Sequence, residues 1–250
     1  MKEGVSILIC CYNSGRYLEE TLKSVYAQTM QDFEVIIIDD GSTDDTAAIA
    51  RRCADDRTRI VSLKENRGVS YVRNLAVSLS ENRWVALLDS DDLWETDKLE
   101  KQMAFVKEHP EAGLVFTGSA FIDEAGKRYD SVLHVPSAVG FEELKKQNVI
   151  SCSSVLILRQ LLLDHPFSSG FMHEDFAVWL TILREGVMAY GIDEPLLVYR
   201  LSRGSKSADK KKAALMNWNT YRFIGLSFAD SLSSMFHYAC RSIRKYRKLK

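Results

Sequence analysis

The sequence has few of the residues that mark unusual classes of protein. It contains 4 prolines and 13 glycines among 250 residues, too few for a collagen or for a proline-rich disordered chain. Apolar residues make up 46% of the chain and charged residues 27%, as in globular proteins that bury a core. The length suits one α/β domain with a short appendage, which excludes two independent enzymes.

Cysteine and long apolar runs are also scarce. The five cysteines are odd in number and show no C-x-x-C spacing, which is typical of reduced thiols in a cytoplasmic protein. No charged-then-apolar segment opens the chain, and no apolar run approaches the roughly 18 to 20 residues of a membrane span. We therefore expect a cytoplasmic protein, either soluble or peripheral at the inner face of the cell membrane.

Several motifs of known chemistry are missing. Neither the G-x-G-x-x-G pattern of dinucleotide-binding enzymes nor the G-x-x-x-x-G-K-[ST] pattern of P-loop enzymes occurs. A sugar-phosphate nucleotidyltransferase would need a glycine-rich, basic phosphate loop after the first strand, and none is found there. Four of the five histidines show no metal-ligand spacing, and His173 is more typical of a structural residue than of a ligand.

Charge is distributed unevenly along the chain. Residues 210–250 hold ten Lys or Arg and one acid, Asp230, whereas the rest holds 23 basic and 33 acidic residues. The net charge of −1 thus hides an acidic body and a basic tail. We predict a catalytic domain at 1–209 and a basic, amphipathic helical extension at 210–250.

The first half of the chain alternates between short apolar runs and helical periodicity, which indicates parallel strands joined by helical crossovers. The predicted strands are 5–10, 34–38, 59–63 and 84–88, with helices at 69–79 and 96–108. Beyond these we predict an antiparallel pair at 114–122 and 132–135, a short helix at 141–147, a strand at 153–158, a helix at 175–184 and a strand at 196–199. This pattern predicts a Rossmann-like, mostly parallel sheet with helices on both faces.

Acidic residues follow two of these strands directly. Asp39 and Asp40 end the second strand, and Asp89, Asp91 and Asp92 end the fourth. In an open α/β sheet, ligands bind beyond the carboxyl ends of the strands. Carboxylates gathered there repel each other unless a cation or hydrogen-bond donors compensate, and Mg²⁺ or Mn²⁺ bridging two phosphates suits such a site. Acid-rich turns that cap helices explain each segment equally well when it is taken alone.

Four other polar segments complete the pattern. They are Cys10-Cys11-Tyr12-Asn13 after the first strand, Asn66-Arg67-Gly68 after the third, His173-Glu174-Asp175 before a helix, and Tyr199-Arg200 after the last strand. Taken alone, Glu174 and Asp175 are also explained by the preference of acids for a helix N-terminus.

In this order and spacing, the segments resemble the family 2 glycosyltransferases, nucleotide-sugar enzymes built on the GT-A fold. The resemblance spans residues 5 to about 205. One departure is visible, because many members have Pro or Thr before the Tyr-Asn pair, where this chain has Cys10 and Cys11. The resemblance implies a GT-A fold for this part of the chain, to which the basic segment adds a C-terminal helical tail.

The resemblance also implies the role of each residue in an inverting, metal-dependent reaction. It implies a catalytic base at Asp175, a positioning carboxylate at Glu174, and Mg²⁺ or Mn²⁺ at Asp91 and Asp89. The implied donor-binding residues are Cys10, Tyr12, Asn13, Asp39, Asp40, Gly68, Arg73, Asp89, Ser90 and Arg200. A solvated helix residue is the alternative explanation for Arg73. Without the resemblance, a polar linker is the better explanation for Tyr199-Arg200.

The implied partners are a UDP-sugar donor and a glycan or lipid-linked acceptor in the synthesis of a surface polysaccharide or lipopolysaccharide. We expect no nucleic acid. The basic tail, with apolar residues interleaved, predicts either contact with an anionic membrane surface or a docking helix that covers the core. A non-catalytic nucleotide-sugar-binding protein and a sugar-phosphate nucleotidyltransferase are the alternative functions.

Overall fold

The fold is known from a computed structural model, which describes residues 2–202 and 210–248, with only the backbone for residues 210 and 241–248. Its strands are β1 (Lys2–Cys11), β2 (Phe33–Asp39), β3 (Thr58–Ser62), β4 (Asn82–Asp89), β5 (Leu93–Trp94), β6 (Leu114–Ile122), β7 (Arg128–Leu133), β8 (Ala138–Val139), β9 (Leu156–Leu158) and β10 (Ala189–Arg200). Its α-helices are α1 (Leu18–Tyr26), α2 (Thr46–Cys53), α3 (Val69–Leu79), α4 (Lys98–Glu108), α5 (Phe141–Leu144), α6 (Arg159–Asp164), α7 (Glu174–Arg184), α8 (Lys210–Phe223) and α9 (Phe228–Lys248).

One twisted sheet organises the protein. Its strand order is β3-β2-β1-β4-β9-β6-β10-β5, with β7 paired to β6 and β8 paired to β10. Strands β3, β2, β1 and β4 pair with one another in parallel, and β6 pairs with β10 in parallel. Strand β9 lies antiparallel between β4 and β6. The mostly parallel α/β architecture predicted from the sequence is confirmed.

Helices cover both faces of the sheet because the central strands are apolar on both sides. Every residue of β2 except Glu34 is buried, as expected for a strand between two helical layers. Leu18 and Leu22 of α1 pack with one core cluster, and Val72 and Ala76 of α3 pack with the other. The amphipathic faces of the crossover helices therefore build two cores, one on each side of the sheet.

The second half differs in detail from the prediction. The predicted strand at 153–158 is a short 3₁₀ turn, Cys152–Ser154, followed by the three-residue strand β9. The reason is a set of contacts with a distant part of the sequence. The Ser153 hydroxyl donates to Asp92 at 2.7 Å, and the Ser153 carbonyl accepts from Trp94 Nε1. Strands β5 and β8 have two residues each, too short to produce a periodic pattern in the sequence.

The C-terminal tail forms two helices, as predicted. Tyr221 of α8 is fully buried, and its hydroxyl donates to the carbonyl of Lys145 at 2.7 Å. Thr220 accepts a hydrogen bond from the backbone of His173 at 3.1 Å. Helix α8 therefore docks on the core beside α7. No helix in the described ranges is long and apolar enough to cross a membrane.

Candidate functional site

The strand register brings the predicted segments to one edge of the sheet. Cys10 of β1 pairs with Asp89 of β4, and Cys11 pairs with Asp39 of β2. The carboxyl ends of these three parallel strands therefore lie side by side. Burial raises the pKa of Cys10 to about 12, so its thiol is neutral.

Asp39 and Asp40 are both buried and organise the loops around them. Asp39 accepts a hydrogen bond from the backbone N–H of Ser42 at 3.1 Å. The two oxygens of Asp40 accept from the backbone N–H groups of Arg67 at 2.7 Å and Gly68 at 2.9 Å. Gly68 has a φ of +86°, a conformation that favours glycine. Asp40 thus joins the loop after β2 to the loop after β3.

The loop after β1 is joined to the loop after β2 in the same way. The backbone N–H of Asn13 donates to Ser42 Oγ at 2.9 Å, and Asn13 Oδ1 accepts from the backbone of Thr43 at 2.9 Å. Asn13 also has a positive φ, +50°, which Asn tolerates better than most residues. Tyr12 beside it is half exposed. The predicted nucleotide-binding residues therefore form one connected surface with an accessible aromatic ring.

The acidic segment after β4 contains carboxylates in different environments. Asp89 is partly exposed. Burial, together with the charge of Asp89, raises the pKa of Asp91 to about 6. Ser90 bonds through its hydroxyl to Ser14 at 2.7 Å. Asp89 and Asp91 thus place two carboxyl groups close together, as expected where a cation binds.

Asp92 is held by the protein itself. It is buried, and its two oxygens accept from the Ser153 hydroxyl at 2.7 Å and from the backbone N–H of Arg200 at 2.9 Å. Burial and the charges of Asp91 and Asp89 raise its pKa well above the usual range. Its role is to fix the segment in place.

Arg73 is not a solvated helix residue. It is buried on α3, donating to Asp89 at 2.8 Å and to Glu174 at 3.1 Å. Its guanidinium also lies 5.4 Å from the ring centre of Phe167. Arg73 therefore connects the acidic segment after β4 with the acidic pair that opens α7.

Asp175 lies beside this bridge at the start of α7. Burial, and next the charge of Glu174, raises the pKa of Asp175, while Arg73 and His173 act in the opposite direction. A carboxylate with a raised pKa is suited to accept a proton. The helix N-terminus explanation does not account for the contact of Glu174 with Arg73.

Arg200 is enclosed at the end of β10. Its guanidinium donates to the carbonyls of Asp91 at 2.8 Å and Asp123 at 3.3 Å, and to the carboxylate of Glu20 at 2.6 Å. It also lies 4.5 Å from the ring centre of Tyr17. Arg200 thus supports the acidic segment from behind, and its predicted contact with the donor would require these bonds to change. The resemblance also implies that the segment from Tyr199 to Ser207 is mobile and closes over the diphosphate. Its residues from 203 onward lie outside the described residues.

A cavity of about 530 Å³ lies next to the acidic residues. Asp89 and Asp175 line it together, beside Tyr199. The other predicted site residues lie outside this lining. Of these, Tyr12, Asn13, Asp39, Asp40 and Gly68 belong to the loops joined by Asp40 and Asn13. The edge of the sheet therefore has a loop surface on one side and a cavity on the other, with Asp89 and Arg73 between them.

The acidic residues fit a divalent cation. No group of three His, Cys, Asp or Glu side chains arranged as metal ligands occurs among the described residues. Mg²⁺ and Mn²⁺ need only one or two protein carboxylates when phosphate oxygens and waters complete the coordination shell. The neighbouring carboxyl groups of Asp89 and Asp91, with Asp89 partly exposed at the cavity, are the observation that fits such an ion.

Several residues at this site were not predicted from the sequence. Ser153 supports Asp92, Glu20 and Asp123 hold Arg200, and Asn217 and Tyr238 line the cavity. None of them stands in a motif, and each reaches the site from a distant part of the sequence. Only the aromatic content of the tail gave a weak signal for Tyr238.

Comparison with known proteins gives consistent results. The family described as "Glycosyl transferase family 2" matches residues 6–165. The chain is 36% identical over 244 residues to TuaG of Bacillus subtilis, named as a teichuronic acid biosynthesis glycosyltransferase, covering 96% of each chain. It is 32% identical over 246 residues to WfaP of Escherichia coli, a UDP-Glc:α-D-GlcNAc-diphosphoundecaprenol β-1,3-glucosyltransferase, covering 98% of this chain and 96% of that protein.

Solved structures share the fold. TarS residues 1–349 of S. aureus, crystallised with UDP-GlcNAc, superpose with a TM-score of 0.71 at 21% identity, covering 94% of this chain and 70% of that one. The mannosyltransferase PcManGT of Pyrobaculum calidifontis, in complex with GDP-Man and Mn²⁺, gives a TM-score of 0.70 at 18% identity, covering 95% and 69%. At these identities the likeness establishes the fold alone.

Proposed function

Since the chain belongs to glycosyl transferase family 2, we propose that it transfers a sugar from a UDP-sugar to a lipid-linked glycan during assembly of a surface polysaccharide. The observation that carries this proposal is the bridge through Arg73, which joins Asp89 to Glu174 at the rim of one cavity. A donor side and an acceptor side thus meet at one point. The names of TuaG and WfaP support a polysaccharide or lipid-linked product.

The donor nucleotide binds across the joined loops. Tyr12 offers an exposed ring for the base, and the buried Asp39 and Asp40 hold in place the loops of Asn13 and Gly68 that would contact the nucleotide. Because Asp40 already fixes the backbone of Gly68, this surface needs little rearrangement when the nucleotide arrives. Such preorganisation lowers the entropy cost of binding.

Asp89 and Asp91 would hold Mg²⁺ or Mn²⁺ together with the donor's diphosphate. The ion, when bound, would stabilise the negative charge that develops on the departing diphosphate. Asp92, Ser153 and Arg200 keep the two carboxylates in place through the hydrogen bonds described above. The preorganisation of the acidic segment is therefore the protein's own contribution at this position.

Transfer proceeds with inversion at the anomeric carbon. Asp175 takes the proton from an acceptor hydroxyl while that oxygen forms a bond to the anomeric carbon and the bond from this carbon to the UDP oxygen breaks. Glu174, held by Arg73, positions the acceptor and the base. The products are the extended glycan, UDP and a protonated Asp175.

Because the proposed acceptor is linked to a lipid, we expect the enzyme to work at the inner face of a membrane. Phe228, Leu232 and Phe236 of α9 are 57–68% exposed, and their spacing of four puts them on one face of the helix. Six cations follow within residues 241–250. This combination supports peripheral attachment to anionic lipid.

A thermal-shift and turnover assay tests the function. We expect UDP-glucose with Mn²⁺ to raise the melting temperature by mass action and UDP to be released when a GlcNAc-α-diphosphoalkyl acceptor is added. Asp91→Ala should lose the response to the ion and reduce turnover by at least about 10²-fold. Glu111→Ala, an exposed acid elsewhere, serves as the control.

Three results would contradict the proposal. Wild-type turnover in Asp91→Ala would remove Asp91 from the ion site. Binding of UDP-glucose without UDP release would favour a non-catalytic sugar-nucleotide sensor. Release of pyrophosphate from a nucleoside triphosphate and a sugar phosphate would favour the nucleotidyltransferase alternative.

A further inference from the structure

The cavity beside the catalytic acids has a wall formed by the C-terminal tail. Asn217 of α8 and Tyr238 of α9 line the same cavity as Asp89 and Asp175. Its volume of about 530 Å³ lies within the range of roughly 300–1,000 Å³ that is usual for small-ligand sites. The tail therefore reaches the site of reaction and does more than cover the core.

Asn217 has a hydrogen-bonding oxygen that the fold does not use. Its side chain is 4% exposed, and its Oδ1 has no hydrogen-bond partner among the described residues. Buried polar atoms are almost always paired, because an unpaired one costs about 1–3 kcal/mol. An unpaired oxygen on a residue that lines a cavity indicates a ligand that supplies the donor.

Neighbouring polar residues of α8 are paired within the protein. Thr220 bonds to His173 and to the carbonyl of Met216, and Asn219 Nδ2 donates to the carbonyl of Phe171 at 2.8 Å. Two other buried atoms, Ser119 Oγ and Trp179 Nε1, also lack partners in the described part of the chain. Neither of these residues lines the cavity. Among the described residues, Asn217 is therefore the one that both lines the cavity and has an unpaired buried side-chain atom.

The lining of the cavity matches a neutral sugar. It combines aromatic rings with hydroxyl and amide groups, among them Phe121, Tyr129, Tyr199, Ser131 and Asn148. Aromatic rings pack against the C–H face of a sugar ring, while polar side chains bond to its hydroxyls. No lysine or arginine lines the cavity within the described ranges, which disfavours a phosphate group as its occupant.

We propose that α8 and α9 complete the acceptor site and that Asn217 accepts a hydrogen bond from a hydroxyl of the acceptor sugar. In this proposal the amide rotates on binding so that its oxygen faces the cavity. Tyr238 forms the adjacent aromatic wall and packs near Phe176, with ring centres 6.5 Å apart. This inference rests on the proposed transferase function and assigns the neutral sugar nearest the lipid diphosphate to this cavity.

The test compares transfer with donor hydrolysis, using UDP-glucose and a GlcNAc-α-diphosphoalkyl acceptor. Asn217→Leu should raise the acceptor KM about tenfold and leave UDP release in the absence of acceptor unchanged. Its melting temperature should stay equal or rise, since replacing an unpaired buried polar group by an apolar one of similar shape is neutral or stabilising. Tyr238→Leu carries the same expectation for the acceptor KM should Asn217→Leu fail to fold.

Asn219→Leu is the matched control on the same helix. It removes the bond to Phe171, so it should lower the melting temperature and leave the acceptor KM unchanged. Unchanged acceptor KM values in Asn217→Leu and Tyr238→Leu would overturn the inference, and so would an equal loss of acceptor-free UDP release. Failure of the transferase proposal itself would appear differently, as no UDP release by the wild type.

Discussion

Asp175 shows how one side chain acquires a chemical role from its surroundings. Burial and the neighbouring charge of Glu174 favour its protonated form, whereas Arg73 and His173 favour the charged form. The net effect is a raised pKa, so the carboxylate is a stronger base than an exposed aspartate. It becomes active as pH rises, since only the deprotonated form can accept the acceptor's proton.

We expect Asp175→Asn to lose transfer by about 10²–10⁴-fold, the usual contribution of a general base, and to bind UDP normally. In the wild type, at saturating Mn²⁺, transfer should fall as pH is lowered through a value above that of an ordinary aspartate. Initial rates across the acidic range, with calorimetric UDP affinity, measure both effects. Wild-type transfer by Asp175→Asn would assign the base elsewhere.

Single residues were predictable where a motif fixed both the residue and its place. Asp89 and Asp175 lie together at one cavity, as their positions after β4 and before α7 indicate. The double contact of Arg73 was not predictable, because its partners are 16 and 101 residues away. The enclosure of Arg200 by Glu20, 180 residues distant, was hidden for the same reason.

At the scale of elements, helix α9 has one polar face that is buried and one apolar face that is exposed. Ser231 and Ser234 are buried against the protein, whereas Phe228, Leu232 and Phe236 are directed to solvent. Exposed aromatic and aliphatic side chains in a row are unusual on a solvated helix. The exposed face followed by a basic segment supports contact with anionic lipid, at about 1 kcal/mol for each cation near the surface.

We expect the full chain to float with phosphatidylglycerol vesicles and not with phosphatidylcholine vesicles. Replacing Phe228, Leu232 and Phe236 together by Ser should abolish flotation, while the melting temperature changes little because these side chains are already exposed. Leu163→Ser, on the exposed part of α6, is the control for loss of surface hydrophobicity. Equal flotation of the triple variant would exclude this face as the attachment site.

Elements with a clear apolar or helical pattern were predicted well, and very short elements were not. The first four strands and α3 follow directly from apolar runs and helical spacing. Strands β5 and β8 exist only through pairing with β10. The antiparallel insertion of β9 depends on contacts with β4 and β6, which no local pattern encodes.

At the scale of the whole molecule, the predicted boundary at residue 209 separates charge but not packing. Met216, Tyr221, Ile224 and Leu226 of the tail are buried, and Tyr221 and Ile224 belong to the same core cluster as Leu87 of β4. The division into 1–209 and 210–250 remains a prediction about composition. The packing indicates that both segments contribute to one core.

A chain that ends at residue 209 should therefore be much less stable than the full chain. Each large apolar side chain that returns to water costs roughly 1.5–3 kcal/mol, so we expect a loss of at least about 4 kcal/mol. Urea unfolding followed by circular dichroism measures it. A chain that ends at residue 240 keeps these four buried side chains, so it should retain most of the stability of the full chain. Equal stability of both shortened chains would contradict the shared core.

The carboxylate of Asp40 has a further consequence for the timescale of motion. Its oxygens hold the amide protons of Arg67 and Gly68, in a loop that would otherwise exchange them freely with water. Those two amides should exchange with deuterium as slowly as amides inside the sheet, before any ligand is present. The nucleotide would then meet a surface whose shape is set in advance, and association would be limited by diffusion rather than by loop closure.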